Sequence, residues 1–150
     1  MEHSNIYHLI ILDESGSMTT IKRQAVGGLN ETLGGIRSAS REKTDQNHFV
    51  SIITDGMENS SEEWSGKAVK ALVGRLREKG WTFAYIGANQ DAVEVARELD
   101  IRNALNFDAT PEGTVEMGYV LKESTANFCM MSKASMADNS DFFVKKPGKK

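Results

Sequence analysis

Two rhythms of apolar residues alternate along this chain. Short, nearly continuous apolar runs are separated by longer stretches in which apolar positions recur every three or four residues. Ile6-Tyr7-His8-Leu9-Ile10-Ile11-Leu12 is such a run, rich in isoleucine, and reads as a strand buried in a parallel sheet. Phe49-Val50-Ser51-Ile52-Ile53 and Thr82-Phe83-Ala84-Tyr85-Ile86 have the same character, and Ala104-Leu105-Asn106-Phe107 predicts a fourth, shorter strand. Ile21, Ala25, Leu29, Leu33 and Ile36 share one face at helical spacing and predict a helix over 20–38. Gly27, Gly28, Gly34 and Gly35 interrupt it, each costing up to ~1 kcal/mol against alanine, and would allow close approach to a sheet. Trp64, Ala68, Leu72 and Leu76, with Val69 and Val73, predict a second helix over 62–79. Ser60 and Glu63 have capping-box spacing at its start, and Gly80 is placed to end it.

Further on, Gly87-Ala88-Asn89-Gln90 turns into a short helix over 92–99. Thr110-Pro111 then reads as the N-cap and first position of a last helix, to about Met131. Ser40 to Asn47 is a polar linker. From Ser132 the chain turns polar, so the expected domain is 1–131 and residues 132–150 are expected to be a disordered tail. Strand–helix alternation throughout predicts an α/β fold: a three-layer, Rossmann-like, mostly parallel sheet of about four strands flanked by helices.

With 150 residues the chain can hold one domain with a modest core. Lys+Arg 18 against Asp+Glu 21 gives a net charge of −3, which offers no broad basic surface for nucleic acid. The one basic cluster, Lys145-Lys146-Pro147-Gly148-Lys149-Lys150, reads as a solvated end. Cys129 is the only cysteine, so no internal disulfide can form. No stretch has the length of a secretory leader or of a membrane span, and a soluble, cytoplasmic protein without membrane contact is expected.

The chemistry-bearing residues follow the strands. Asp13-Glu14-Ser15-Gly16-Ser17 leaves the first strand directly, and Thr54-Asp55-Gly56 leaves the second. Ligand sites of open α/β sheets lie at such carboxyl ends. One carboxylate and two hydroxyls, spaced two apart, are hard oxygen donors that suit magnesium or manganese. The same three side chains also suit a purely structural task, capping the first helix and bonding the loop backbone. His3, His8 and His48 are scattered and form no metal cluster; Trp64 and Trp81 read as core or rim packing.

D-x-S-x-S after one strand, joined to T-D-G after another, resembles the metal-ion-dependent adhesion site of the von Willebrand factor A family. The resemblance runs from about Ile6 to about Phe107 and implies a shortened form of that fold. It implies that Ser15 and Ser17 bind the metal, that Asp13 orients them and balances charge, and that Asp55 holds a coordinated water. An open metal position would then accept a carboxylate from a partner protein, making the chain a non-enzymatic, metal-dependent protein-binding module. Glu58 and Asn59 would lie on the rim of that site, whereas Glu14 is directed away by alternation.

The chain departs from the family pattern in one place. Family members have two further strands, and a loop with a metal-binding threonine, between the first helix and the T-D-G strand. Here only the linker stands there; Thr44 would enter at the opposite end of the sheet and takes no such role. Kept in the parent arrangement, the shortened crossover would be left-handed, against about 98% of known cases. The helix would have to move to the other face, the T-D-G strand would have to take the vacant place beside the first strand, or two chains would have to exchange elements. The first strand becomes an apolar edge, and a homodimer through it is expected. Two other functions compete. One is a degenerate remnant acting only as an oligomerising domain. The other is a magnesium-dependent phosphoryl-transfer enzyme, disfavoured because Ser15 stands where a second aspartate is usual.

Overall fold

A computed structural model describes residues 4–12, 27, 45–54, 66–88, 91–131 and 141–144. Its strands are β1 (Ser4–Leu12), β2 (Asp45–Thr54), β3 (Thr82–Ala88) and β4 (Asn103–Phe107). Its helices are α1 (Gly66–Glu78), α2 (Ala92–Glu98) and α3 (Pro111–Met130). The strands form one parallel sheet in the order β1-β2-β3-β4, each beside its predecessor in sequence. The fold is therefore α/β, three-layered and Rossmann-like. No helix among the described residues is long and apolar enough to cross a membrane.

Alternation along the strands divides the interior into two layers. Val50, Phe83 and Tyr85 face one side of the sheet, where Val73 of α1 and Ala92 and Ala96 of α2 cover them. Phe49, Ile53, Ala84 and Ile86 face the other side, under Met117, Leu121 and Phe128 of α3. Central β3 is buried along its whole length, as a strand covered on both faces must be.

Both connecting helices stop in the same way. Beyond α1, the Gly80 amide donates to the Arg77 carbonyl at 2.8 Å and the Trp81 amide to the Leu76 carbonyl at 3.1 Å. Gly80 takes φ 87°, the left-handed turn that ends helices in this motif. After α2 the Asp100 amide reaches the Arg97 carbonyl at 3.1 Å and the Ile101 amide the Ala96 carbonyl at 2.7 Å. Asp100 fills the left-handed position with φ 59°, a conformation that glycine takes at less cost. Each motif delivers an apolar residue, Trp81 or Ile101, toward the next strand. Helix α3 opens as its sequence indicates: Thr110 Oγ1 accepts from the Gly113 amide at 3.0 Å, and Pro111 stands in the first turn.

Two expectations are corrected. Strand β2 begins at Asp45, inside the stretch read as a polar linker, because Asp45 to Asn47 continue the parallel ladder opposite Ser4 to Ile6. Backbone pairing needs no apolar side chains there. The stretch read as a loose tail from Ser132 also contains a core residue. Phe142 is 2% exposed and stacks on Phe49 with ring centroids 4.2 Å apart. Its amide donates to Asn103 Oδ1 at 3.1 Å, and the Val144 amide donates to Ser124 Oγ at 2.9 Å. The packed body thus includes residues 141–144.

Candidate functional site

The candidate metal-binding residues Asp13, Ser15, Ser17 and Asp55 lie outside the described residues, as do Glu14, Glu58 and Asn59. What is described is the frame from which they depart. β1 and β2 are adjacent and parallel, with Leu12 opposite Ile53. Thr54 is the last residue of β2 and Leu12 the last of β1, so both strands finish at the same end of the sheet. In the sequence Asp13 follows Leu12 and Asp55 follows Thr54. Neighbouring strands stand about 4.8 Å apart, so two chains that leave side by side can bring hard oxygen donors to one cation. Among the described residues themselves, no group of three or more His, Cys, Asp or Glu is placed to hold a metal.

The same end of the sheet carries a second polar feature. Asn106 of β4 accepts the Ala92 amide through Oδ1 at 2.8 Å, tying the start of α2 to the strand beside β3. Asp91 caps that helix, its Oδ1 accepting the Glu94 amide at 3.1 Å. Between the end of β4 and the first turns of α3 lies an open cavity of about 170 Å³, lined by Asn106, Asp108, Gly113 and Glu116 over apolar Phe107 and Met117. Among the described residues its polar lining carries two carboxylates and no basic group.

Within the sheet, sequence reasoning missed a polar pair. His8 Nε2 lies 2.9 Å from Ser51 Oγ across β1 and β2. Ser51 is fully buried, and burial lowers the His8 pKa from 6.5 to about 4. The ring is therefore neutral near pH 7. With its hydroxyl closed off from solvent, Ser51 cannot meet a substrate, so the pair is an internal polar contact and not a nucleophilic dyad. Only register would have exposed it: His8 and Ser51 are in phase once Ile10 is set opposite Ser51. On the other face, Tyr7 of β1, His48 of β2 and Trp81, just before β3, form a row. Tyr7 and His48 stack at 5.3 Å between centroids, and His48 and Trp81 at 4.2 Å and 3°. Trp81 thus does the rim packing expected of it.

No family model, curated protein or solved structure matches this chain.

Proposed function

We propose that the chain is a metal-dependent protein-binding module of the von Willebrand factor A type. It would hold magnesium or manganese through Asp13, Ser15, Ser17 and Asp55 and accept an acidic side chain of a partner protein. The observation that supports this most is the parallel pairing of β1 with β2, Leu12 opposite Ile53, from which the Asp13 and Asp55 segments both depart. A cation between them would supply a positive, incompletely coordinated centre for a carboxylate. Isothermal titration of magnesium and manganese into the wild-type chain, Asp13→Ala and Ser15→Ala/Ser17→Ala tests it. Saturable binding lost in both variants supports the site. A folded wild type that binds neither ion removes the proposal and leaves the D-x-S-x-S segment a helix cap.

Homodimerisation through β1 is a second proposal, and one observation favours it: among the described residues β1 is the outer strand of the sheet. An unpaired strand edge is a template for another chain. Light scattering across a concentration series tests it, and a constant monomer mass would end it.

A further inference from the structure

We propose that the chain connecting β1 to β2 covers the open face of β1. Its apolar positions Ile21, Ala25, Leu29, Leu33 and Ile36 would seat on Tyr7, Leu9 and Ile11, on the same side of the sheet as α1 and α2. The proposal concerns the face of β1 and not its edge, and it stands whether or not the carboxyl end binds a metal.

The first observation is an abrupt change in burial across one face of the sheet. Val50, Phe83 and Tyr85, on β2 and β3, are 3%, 7% and 4% exposed beneath α1 and α2. On β1 the residues of that same face are Tyr7 at 50%, Leu9 at 54% and Ile11 at 47%. Three large apolar side chains in a row at half exposure form a surface that water disfavours, by about 25 cal/mol for each Å² left uncovered. The opposite face of β1 is provided for: Ile10 and Leu12 pack against the layer under α3.

Direction and hand then choose the occupant. The steps β2→β3 and β3→β4 run the same way across the sheet, and the helices that make them, α1 and α2, share one face. The step β1→β2 runs in that direction too. A parallel crossover of the same hand and direction must lie on the same face, and right-handedness holds in about 98% of such units. Residues 13–44 are the chain that makes this step, entering after Leu12 and leaving at Asp45. Among the residues anticipated in this helix, Gly27 is the one described, and it is helical.

Length agrees. β1 has 9 residues, about 30 Å at ~3.3 Å per residue, and the crossover must return over that distance. A helix rising about 1.5 Å per residue needs about 20 residues to do so. The apolar periodicity over 20–38 supplies a helix of that length, with short loops left at both ends.

Hydroxyl-radical footprinting of the wild-type chain at low and high concentration tests the proposal without any substitution. Tyr119, 60% exposed on α3, is the reference for Tyr7. Labelling of Tyr7 several-fold below Tyr119 at both concentrations is the expected result. Equal labelling overturns the proposal, and protection of Tyr7 at high concentration alone overturns it in favour of a second copy. Disulfide trapping in a Cys129→Ala background gives the side. Leu9→Cys should form an intrachain link with at least one of Ala25→Cys, Leu29→Cys and Leu33→Cys. Ile10→Cys, on the opposite face of β1, should form none. Links through Ile10→Cys, or no link from Leu9→Cys at any of the three positions, overturn the proposal.

Discussion

His8 Nε2 and Ser51 Oγ, on adjacent strands, meet at 2.9 Å beneath the α3 layer, while His8 Nδ1 is buried without a hydrogen-bond partner. An imidazole held this way resists protonation, because burial strips the cation of its water. The folded-state pKa is about 4, against 6.5 unfolded. Between those values the unfolded chain binds a proton that the folded chain refuses. The stability contribution is therefore complete above pH 6.5 and declines as pH falls to about 4, by about 3 kcal/mol. Urea denaturation at intervals from pH 7.5 to pH 4 should show this decline. His8→Leu should flatten it, and an unchanged slope in that variant would refute the assignment.

Phe142 should behave as a core residue despite its polar neighbourhood in sequence. It is 2% exposed, stacks on Phe49, and meets Phe128 edge-on at 5.8 Å. Phe142→Ala should cost about 3–5 kcal/mol in chemical denaturation. Asn103→Ala should reproduce part of this loss. Its Nδ2 donates to the Phe83 carbonyl at 3.0 Å and its Oδ1 accepts the Phe142 amide, so both backbone groups would lose a partner. A change below ~0.5 kcal/mol in Phe142→Ala would mean that residues 141–144 do not dock in solution.

At Asp100 two effects oppose each other. The left-handed backbone favours glycine, whereas the carboxylate pairs with Arg77 at 2.7 Å. Asp100 is 43% exposed, so solvent weakens the ion pair. Asp100→Ala loses the pair and keeps the strain; Asp100→Gly loses the pair and relieves it. Glycine should therefore be the more stable of the two by about 1 kcal/mol. Thermal melts of both variants beside the wild type give the order, and alanine ranking above glycine would contradict it.

Two glycines at helix starts should respond in opposite ways to alanine. A methyl on Gly113 would be driven into the Asp108 carbonyl, whereas at Gly66 nothing lies within 4 Å. Gly113→Ala should destabilise by about 1–3 kcal/mol through overpacking at the start of α3. Gly66→Ala should be neutral, or stabilising by up to ~1 kcal/mol, since alanine favours the helix. Denaturation midpoints for the pair decide the matter, and equal midpoints would argue against the close approach at Asp108.

What the sequence disclosed depended on the range of the interaction. Strands β1, β2 and β3 declared themselves through continuous apolar runs, α1 through its three-and-four spacing, and α3 through the Thr110-Pro111 start. Those signals are local, and the α/β architecture follows from their alternation. Phe142 was hidden because one buried side chain in a polar stretch has no period to betray it. Asn103 was hidden because its value lies in two backbone groups far away in sequence. The His8–Ser51 contact depends on strand register, which local pattern does not specify. For the candidate metal residues, the apolar runs located the ends of β1 and β2, but Asp13, Ser15, Ser17 and Asp55 fall in segments outside the described residues. The capping box of Ser60 and Glu63 falls outside them too.

The order β1-β2-β3-β4 also bears on synthesis. Each strand after β1 pairs with the one made just before it, so none of these must wait for a distant partner yet to be translated. Each connection closes a shorter loop than pairing with a more distant strand would, so the sheet can extend from a finished edge while later residues are still being added. The α3 layer is different: Phe142 reaches back to Phe49 on β2, across most of the chain. Nascent chains arrested after β4 should therefore already protect the β2 and β3 amides from hydrogen exchange, while the Phe49 side of the sheet stays unsealed until Phe142 emerges from the ribosome.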